Sequence, residues 1–150
     1  MLQKYKLSFD IWGLLLFLII MIPNFIWFAV PAPNDILRTK SITETTDIVA
    51  SVCQVLMITA LCIFRNRDKS KKMCVNLFII AVAGCCLLYF LSWIIYYEGI
   101  VNAIVMLGLT IPPCLAFLFF AIERKNGVAL IPIIIFTICH LIYGVVNFVV

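Results

Sequence analysis

Five long apolar runs separated by short polar stretches set the pattern of this chain, at residues 11–30, 48–64, 73–97, 99–122 and 127–150. Each is close to the roughly 17–25 residues that a helix needs to cross about 30 Å of hydrocarbon. In lipid, backbone N–H and C=O groups must pair within the protein, which leaves helices or a closed barrel. A barrel would show alternating segments of about ten residues, and the sequence has none. The pattern therefore predicts an all-α integral membrane protein, one domain over residues 1–150, folded as a five-transmembrane-helix bundle. The first run follows Lys4 and Lys6 and so has the flank of a secretory signal. It is too long for one, and Pro33 follows its only small-residue exit, so it is read as a span.

Connection lengths predict the packing order. Three connections are short, so helices two to five are expected to run as successive antiparallel neighbours. The fourth, residues 31–47, opens with Pro31, Pro33 and Asn34, which stop the first helix. Within it, Ser41-Ile42-Thr43-Glu44 has capping-box spacing and predicts an early start to the second helix. Pro23 and the Pro112-Pro113 pair fall inside spans, where each removes a backbone hydrogen bond and frees a carbonyl. Ala81, Ala83 and Gly84 are small enough to let the third helix approach a neighbour, within the bundle or in another protomer.

Composition agrees with this reading, at 65% hydrophobic and 12% charged residues. A soluble fold of this size could not hide so much apolar surface. Charge adds a direction. Of the 11 basic residues, only Arg38 and Lys40 lie on the side of the 31–47 connection, beside Asp35, Glu44, Asp47 and Glu98. The rest flank the opposite ends, five of them in "RNRDKSKK" at 65–72. By the positive-inside rule the amino terminus is cytoplasmic and the carboxyl terminus outside, in a plasma membrane. The net charge of +4 is thus an orientation and lipid-headgroup signal, and no nucleic-acid partner is expected. The seven cysteines lie in spans or at the inner edge and form no C-x-x-C pair, so they read as free, small hydrophobic side chains.

Polar groups inside the spans carry the candidate chemistry. His140 is the only histidine, and it sits about 20 Å along the fifth helix from Gly127 at ~1.5 Å per residue. Asn24 on the first helix and Gln54 on the second reach a similar depth. Thr137, His140, Gly144 and Asn147 follow a helical stripe, as do Asp47, Ser51 and Gln54. Asn102 adds an amide, Glu98 an acidic rim, and Trp27, Trp93, Tyr96, Tyr97 and Tyr143 an aromatic zone at similar or shallower depth. These groups predict a polar and aromatic pocket in the outer half of the bundle, above an aliphatic plug. The plainer readings are an aromatic belt at the interface, amide glue between helices, and a neutral imidazole bonded to Asn24, Gln54 or a carbonyl freed by proline.

Binding or transport of a small, partly apolar neutral or cationic molecule is the leading expectation, with His140, Asn24, Gln54, Asn147, Thr137, Trp27, Trp93, Tyr96, Tyr143, Asn102 and Glu98 as the candidate ligand-binding residues. An accessory, regulatory or immunity-type membrane partner is the alternative. Membrane-embedded catalysis through His140 ranks third, because no H-E-x-x-H, G-x-S-x-G or paired-aspartate motif accompanies it. The expected partners are the lipid bilayer, a small molecule, and a homo-oligomer or larger membrane complex, with no cofactor or metal. In size and helix number the chain is similar to the tryptophan-rich sensory, or translocator, proteins. Their proline- and tryptophan-rich ligand-site signatures are not present, and with three tryptophans the chain is assigned to no family.

Overall fold

A computed structural model describes residues 4–68 and 73–148. The lysines at 69, 71 and 72 and the last two residues of the fifth apolar run lie outside the described residues. The chain forms a five-helix integral membrane bundle: α1 (Ile11–Ala29), α2 (Glu44–Ile63), α3 (Leu77–Tyr97), α4 (Ala103–Glu123) and α5 (Gly127–Phe148), each long and apolar enough to cross a membrane. Large aliphatic side chains stay exposed around the outside, among them Leu18, Val55, Leu87 and Ile131. Lipid tails cover such a surface without the cost that water would impose.

Helix starts are set by capping side chains. Asp10, Asn76 and Asn102 accept hydrogen bonds from the backbone N–H groups of Trp12, Ile79 and Val105, and Asn126 does the same for Ala129. These bonds satisfy donors that helical geometry leaves open. They place the start of α3 at 77 and of α4 at 103, a few residues later than apolar content alone implies. The capping box at Ser41 does not form. Thr43 is the N-cap of α2, and the Ser41 hydroxyl instead accepts from the Thr43 N–H (3.1 Å).

Two departures from the expected architecture meet at one end of the bundle. Tyr5–Leu7 (β1) pairs antiparallel with Phe64–Asn66 (β2), Lys6 opposite Arg65. Ser8 and Asp10 continue the pairing by donating to the terminal carbonyls of α2, Ile63 and Cys62, at 3.0 and 2.8 Å. A helix end leaves these acceptors open, and here an extended segment fills them. After this ribbon α2 does not pack beside α3 as its place in the chain suggested. The observed order is α3 against α4, α4 against α5, α5 against α2, and α2 against α1, with lighter contacts from α1 back to α3 and α4.

The α2–α5 pairing is held in register at both ends. Asn147 donates to the Thr43 hydroxyl (2.9 Å) at the end carrying the 30–43 connector, and Asn126 donates to the Phe64 carbonyl (2.7 Å) at the ribbon end. The two bonds span equal lengths of each helix, so His140 stands level with Ala50, between Asp47 and Gln54. The α4–α5 contact is close because Gly144 lies against Thr110; a Cβ there would meet the Thr110 hydroxyl at 2.7 Å. Gly108 lets α3 approach in the same way, against Ser92. Gly84, singled out from sequence, has open space beside it.

A buried polar layer closes the ribbon end. Arg124 and Asp10, with side chains 5% and 6% exposed, form a two-pronged ion pair at 2.5 and 2.8 Å. Asn126 bridges the Ala60 and Phe64 carbonyls, Asn66 donates to the Lys125 carbonyl, and Asn76 donates to Glu123. The turn at residues 123–127, whose Arg124 and Lys125 belong to the basic residues that set the orientation, is thus also a buried fastening between α4, α5, the ribbon and the start of α1.

Candidate functional site

A cavity of about 380 Å³ opens within the bundle toward the connector end. All five helices and Leu37 of the connector contribute to its lining. Its deepest lining residues are Phe117 and Phe136, roughly 20 Å below the connector end at ~1.5 Å per residue. Beneath them Met57, Phe120 and Ile133 are at most 1% exposed and belong to the buried core.

Six of the eleven candidate residues come together on this cavity: Asn24, Gln54, His140, Trp27, Trp93 and Tyr143. His140 is stacked with Phe136 one turn before it (5.0 Å, 16°) and Tyr143 one turn after it (5.9 Å, 11°). That column fixes the plane of the imidazole, leaving the ring edge and its nitrogens as the polar face. Among the described residues no hydrogen bond reaches His140, and none reaches the Gln54 amide one helix away. Asn24 is not a partner of His140. Its amide donates to the Tyr89 hydroxyl (2.8 Å) and the Ile20 carbonyl (3.2 Å). Across the cavity, Trp93 packs edge-on against Tyr89 and Tyr96 and tilted against Trp27. The Trp93 indole N–H is buried beside the Tyr89 hydroxyl, short of hydrogen-bond geometry.

The other five candidates have different tasks. Asn147 straps the connector, donating to Thr43 and accepting from the Ile42 N–H (2.9 Å). Asn102 caps α4, and Glu98 is the exposed C-cap of α3. Thr137 returns its hydroxyl to the Ile133 carbonyl (2.7 Å), beside the Cys114 thiol. Tyr96 is fully buried and donates to Asp35 (2.8 Å). None of the five lines the cavity. Amides at helix starts and loop junctions are taken by open backbone groups, which depth along a helix does not reveal.

Asp35 organises the connector over the cavity. Its carboxylate accepts from the Trp27 indole (2.9 and 3.0 Å), the Tyr96 hydroxyl (2.8 Å) and Arg38 Nε (2.9 Å). Arg38 also donates to the Trp27 carbonyl (2.7 Å) and lies 4.9 Å from the centre of the Trp27 ring. Burial pushes the Asp35 pKa up, but the hydrogen bonds from Trp27, Tyr96 and Arg38, with the Arg38 charge, outweigh it and hold the carboxyl below its ordinary value.

Sequence reasoning passed over Tyr89, Met106, Thr110 and Phe117, all of which line the cavity. The signal was present. Tyr89, Trp93 and Tyr96 follow the same four-three rhythm that singled out the stripe on α5, and Met106, Thr110, Pro113 and Phe117 follow it on α4.

Chemically, the cavity offers hydrogen-bond donors and acceptors within aromatic walls. It has one carboxylate, Asp47, and no lysine or arginine. Among the described residues no three His, Cys, Asp or Glu side chains gather in a way that would hold a metal ion. These features define a five-helix membrane protein with a polar, aromatic cavity in one half of the bundle. No family model, curated protein or solved structure matches the chain.

Proposed function

We propose that this protein captures a small, partly apolar molecule, neutral or cationic, in the cavity between its helices. The observation that carries the reading is that His140 and Gln54 face one cavity with no hydrogen-bond partner among the described residues. Both side chains are half-buried with polar atoms free toward the cavity, where a ligand or ordered water can bond to them. The volume falls in the ~300–1,000 Å³ range of small-molecule sites, and a few polar groups among aromatic walls is their usual make-up. The excess of basic residues at the ribbon end supports an orientation with the connector end outside. Tight packing at Met57, Phe120 and Ile133, backed by the charged layer, favours capture from the connector side over passage through the bundle.

Thermal unfolding of the purified protein in detergent, with phenethyl alcohol or phenethylamine as probe, tests this reading. At least one probe is expected to raise Tm in the wild type. The rise is expected to disappear in His140→Ala, in Gln54→Ala, and in Ala50→Phe, which fills the cavity from a buried wall position. Equal stabilisation of all three variants and the wild type rejects the cavity as the binding site.

A further inference from the structure

We propose that the cavity selects a protonated amine carried on an apolar or aromatic body, and that Asp47 makes it prefer the cation. The inference rests on the cavity being a binding site and goes on to the charge of what it holds. Asp47 is the only formally charged side chain in the lining. Asp47 Oδ1 accepts from the Thr43 hydroxyl (3.0 Å), while no described residue donates to Oδ2. The two basic residues of the connector are engaged elsewhere, Arg38 with Asp35 (2.9 Å) and Lys40 with Glu44 (3.2 Å). The carboxylate at the cavity wall is therefore left without a cation of its own.

The remaining polar groups suit the same ligand. An ammonium group has donors only, so it needs acceptors. The amide NH2 of Asn24 is taken by Tyr89 and Ile20, which leaves its carbonyl oxygen open. The Gln54 carbonyl oxygen and a neutral imidazole nitrogen of His140 supply two more. Asp47, Gln54, His140 and Tyr143 line the same cavity, and the α2–α5 register sets His140 between the levels of Asp47 and Gln54, so the acceptors and the negative charge occupy one region. Eight Phe, Tyr and Trp rings in the lining present faces or edges to the ligand body, and a ring face attracts a desolvated cation. An anion would meet Asp47 with no basic side chain in the lining to offset it.

The test compares phenethylamine, protonated at pH 7, with the similarly sized uncharged phenethyl alcohol on the full chain in detergent. Trp27 and Trp93 fluorescence reports binding. The amine is expected to bind about tenfold more tightly, since a charge-assisted hydrogen bond is roughly twice as strong as a neutral one. Asp47→Asn should bring the two affinities level, and Glu44→Gln, an acidic neighbour in the same helical turn but outside the cavity, should keep the preference. Equal affinities in the wild type, or a preference that survives in Asp47→Asn, overturn the cation inference and leave capture of a neutral molecule standing. No binding of either probe to the wild type overturns the cavity reading as well. Should Asp47→Asn fail to fold, Asp47→Ser replaces it, and the wild-type ratio decides by itself.

Discussion

Replacing Asp35 by alanine should open the connector without unfolding the bundle. Three donors converge on this carboxylate, from Trp27, Tyr96 and Arg38. Arg38 is 44% exposed, so solvent screening leaves its share small. Trp27 and Tyr96 are better shielded, and hydrogen bonds to a charged acceptor contribute about 1.5–3 kcal/mol each in such settings. Part of the loss is recovered because the Tyr96 hydroxyl still accepts from the Leu37 N–H (3.3 Å). The net cost is about 2–4 kcal/mol, placed on local opening of residues 31–43 rather than on helix packing. That corresponds to a roughly 30- to 700-fold rise in the open population, read as faster hydrogen exchange at the Leu37 and Thr39 amides. Exchange at Met57 and Ile133, deep in the bundle, should not change. Less than a threefold change at Leu37, or an equal acceleration at Met57, refutes the assignment of Asp35 as the fastening of the connector.

The same carboxylate predicts a pH dependence of definite sign. Its pKa is lower in the folded protein than in the unfolded chain, so its contribution is fully present above the ordinary carboxylate value of about 3.9. The contribution is lost as pH falls through the lower folded value. Opening of the connector should therefore be flat through neutral pH and increase only below about pH 4. Asp35→Asn should remove the part of that acid limb due to this group; an unchanged acid limb in the variant counts against it.

Other predictions follow from the same contacts. Arg124→Leu should destabilise the protein by about 3–5 kcal/mol, because it strands the buried Asp10 carboxylate, while the double variant Asp10→Leu with Arg124→Leu should cost less than either single change; detergent unfolding curves for the cycle decide it. Gly144→Ala should cost about 1–3 kcal/mol by pushing on the Thr110 hydroxyl, and Thr110→Ser, which removes the methyl while keeping the hydroxyl, should restore less than Thr110→Ala does, as measured by Tm.

The number and class of the helices were legible because a lipid-length apolar run is a one-dimensional signal. Packing order was not, because it depends on what happens between runs. Nothing in Tyr5-Lys6-Leu7 or Phe64-Arg65-Asn66 marks a strand, yet they pair, and Ser8 and Asp10 beyond the first take up open carbonyls of α2. The site shows the same division. Depth and helical rhythm brought Asn24, Gln54 and His140 to one level, and the register between α2 and α5 turns two of them onto the same cavity. Asn102 and Asn147 obeyed the same rules of depth but sit where a backbone N–H or a connector hydroxyl is open, and local demand takes them first.

That difference gives a physical criterion for separating site from scaffold in this bundle. A polar side chain within a turn of a helix end finds backbone partners and is spent on structure, as at Asn76, Asn102, Asn126 and Asn147. Farther in, a hydroxyl can still bond the carbonyl one turn back, as at Thr110 and Thr137, but an amide or imidazole must satisfy its remaining groups through another side chain or the cavity. Asn24 takes the first course, through Tyr89. His140 and Gln54 have no such partner among the described residues, and their polar atoms face the cavity instead. Filling the cavity with apolar side chains, by Gln54→Leu together with His140→Phe, should therefore raise Tm in the absence of any ligand, since it removes two unpaired polar groups and retains bulk. A lower Tm for this double variant would mean that ordered water or contacts along the walls already satisfy both side chains.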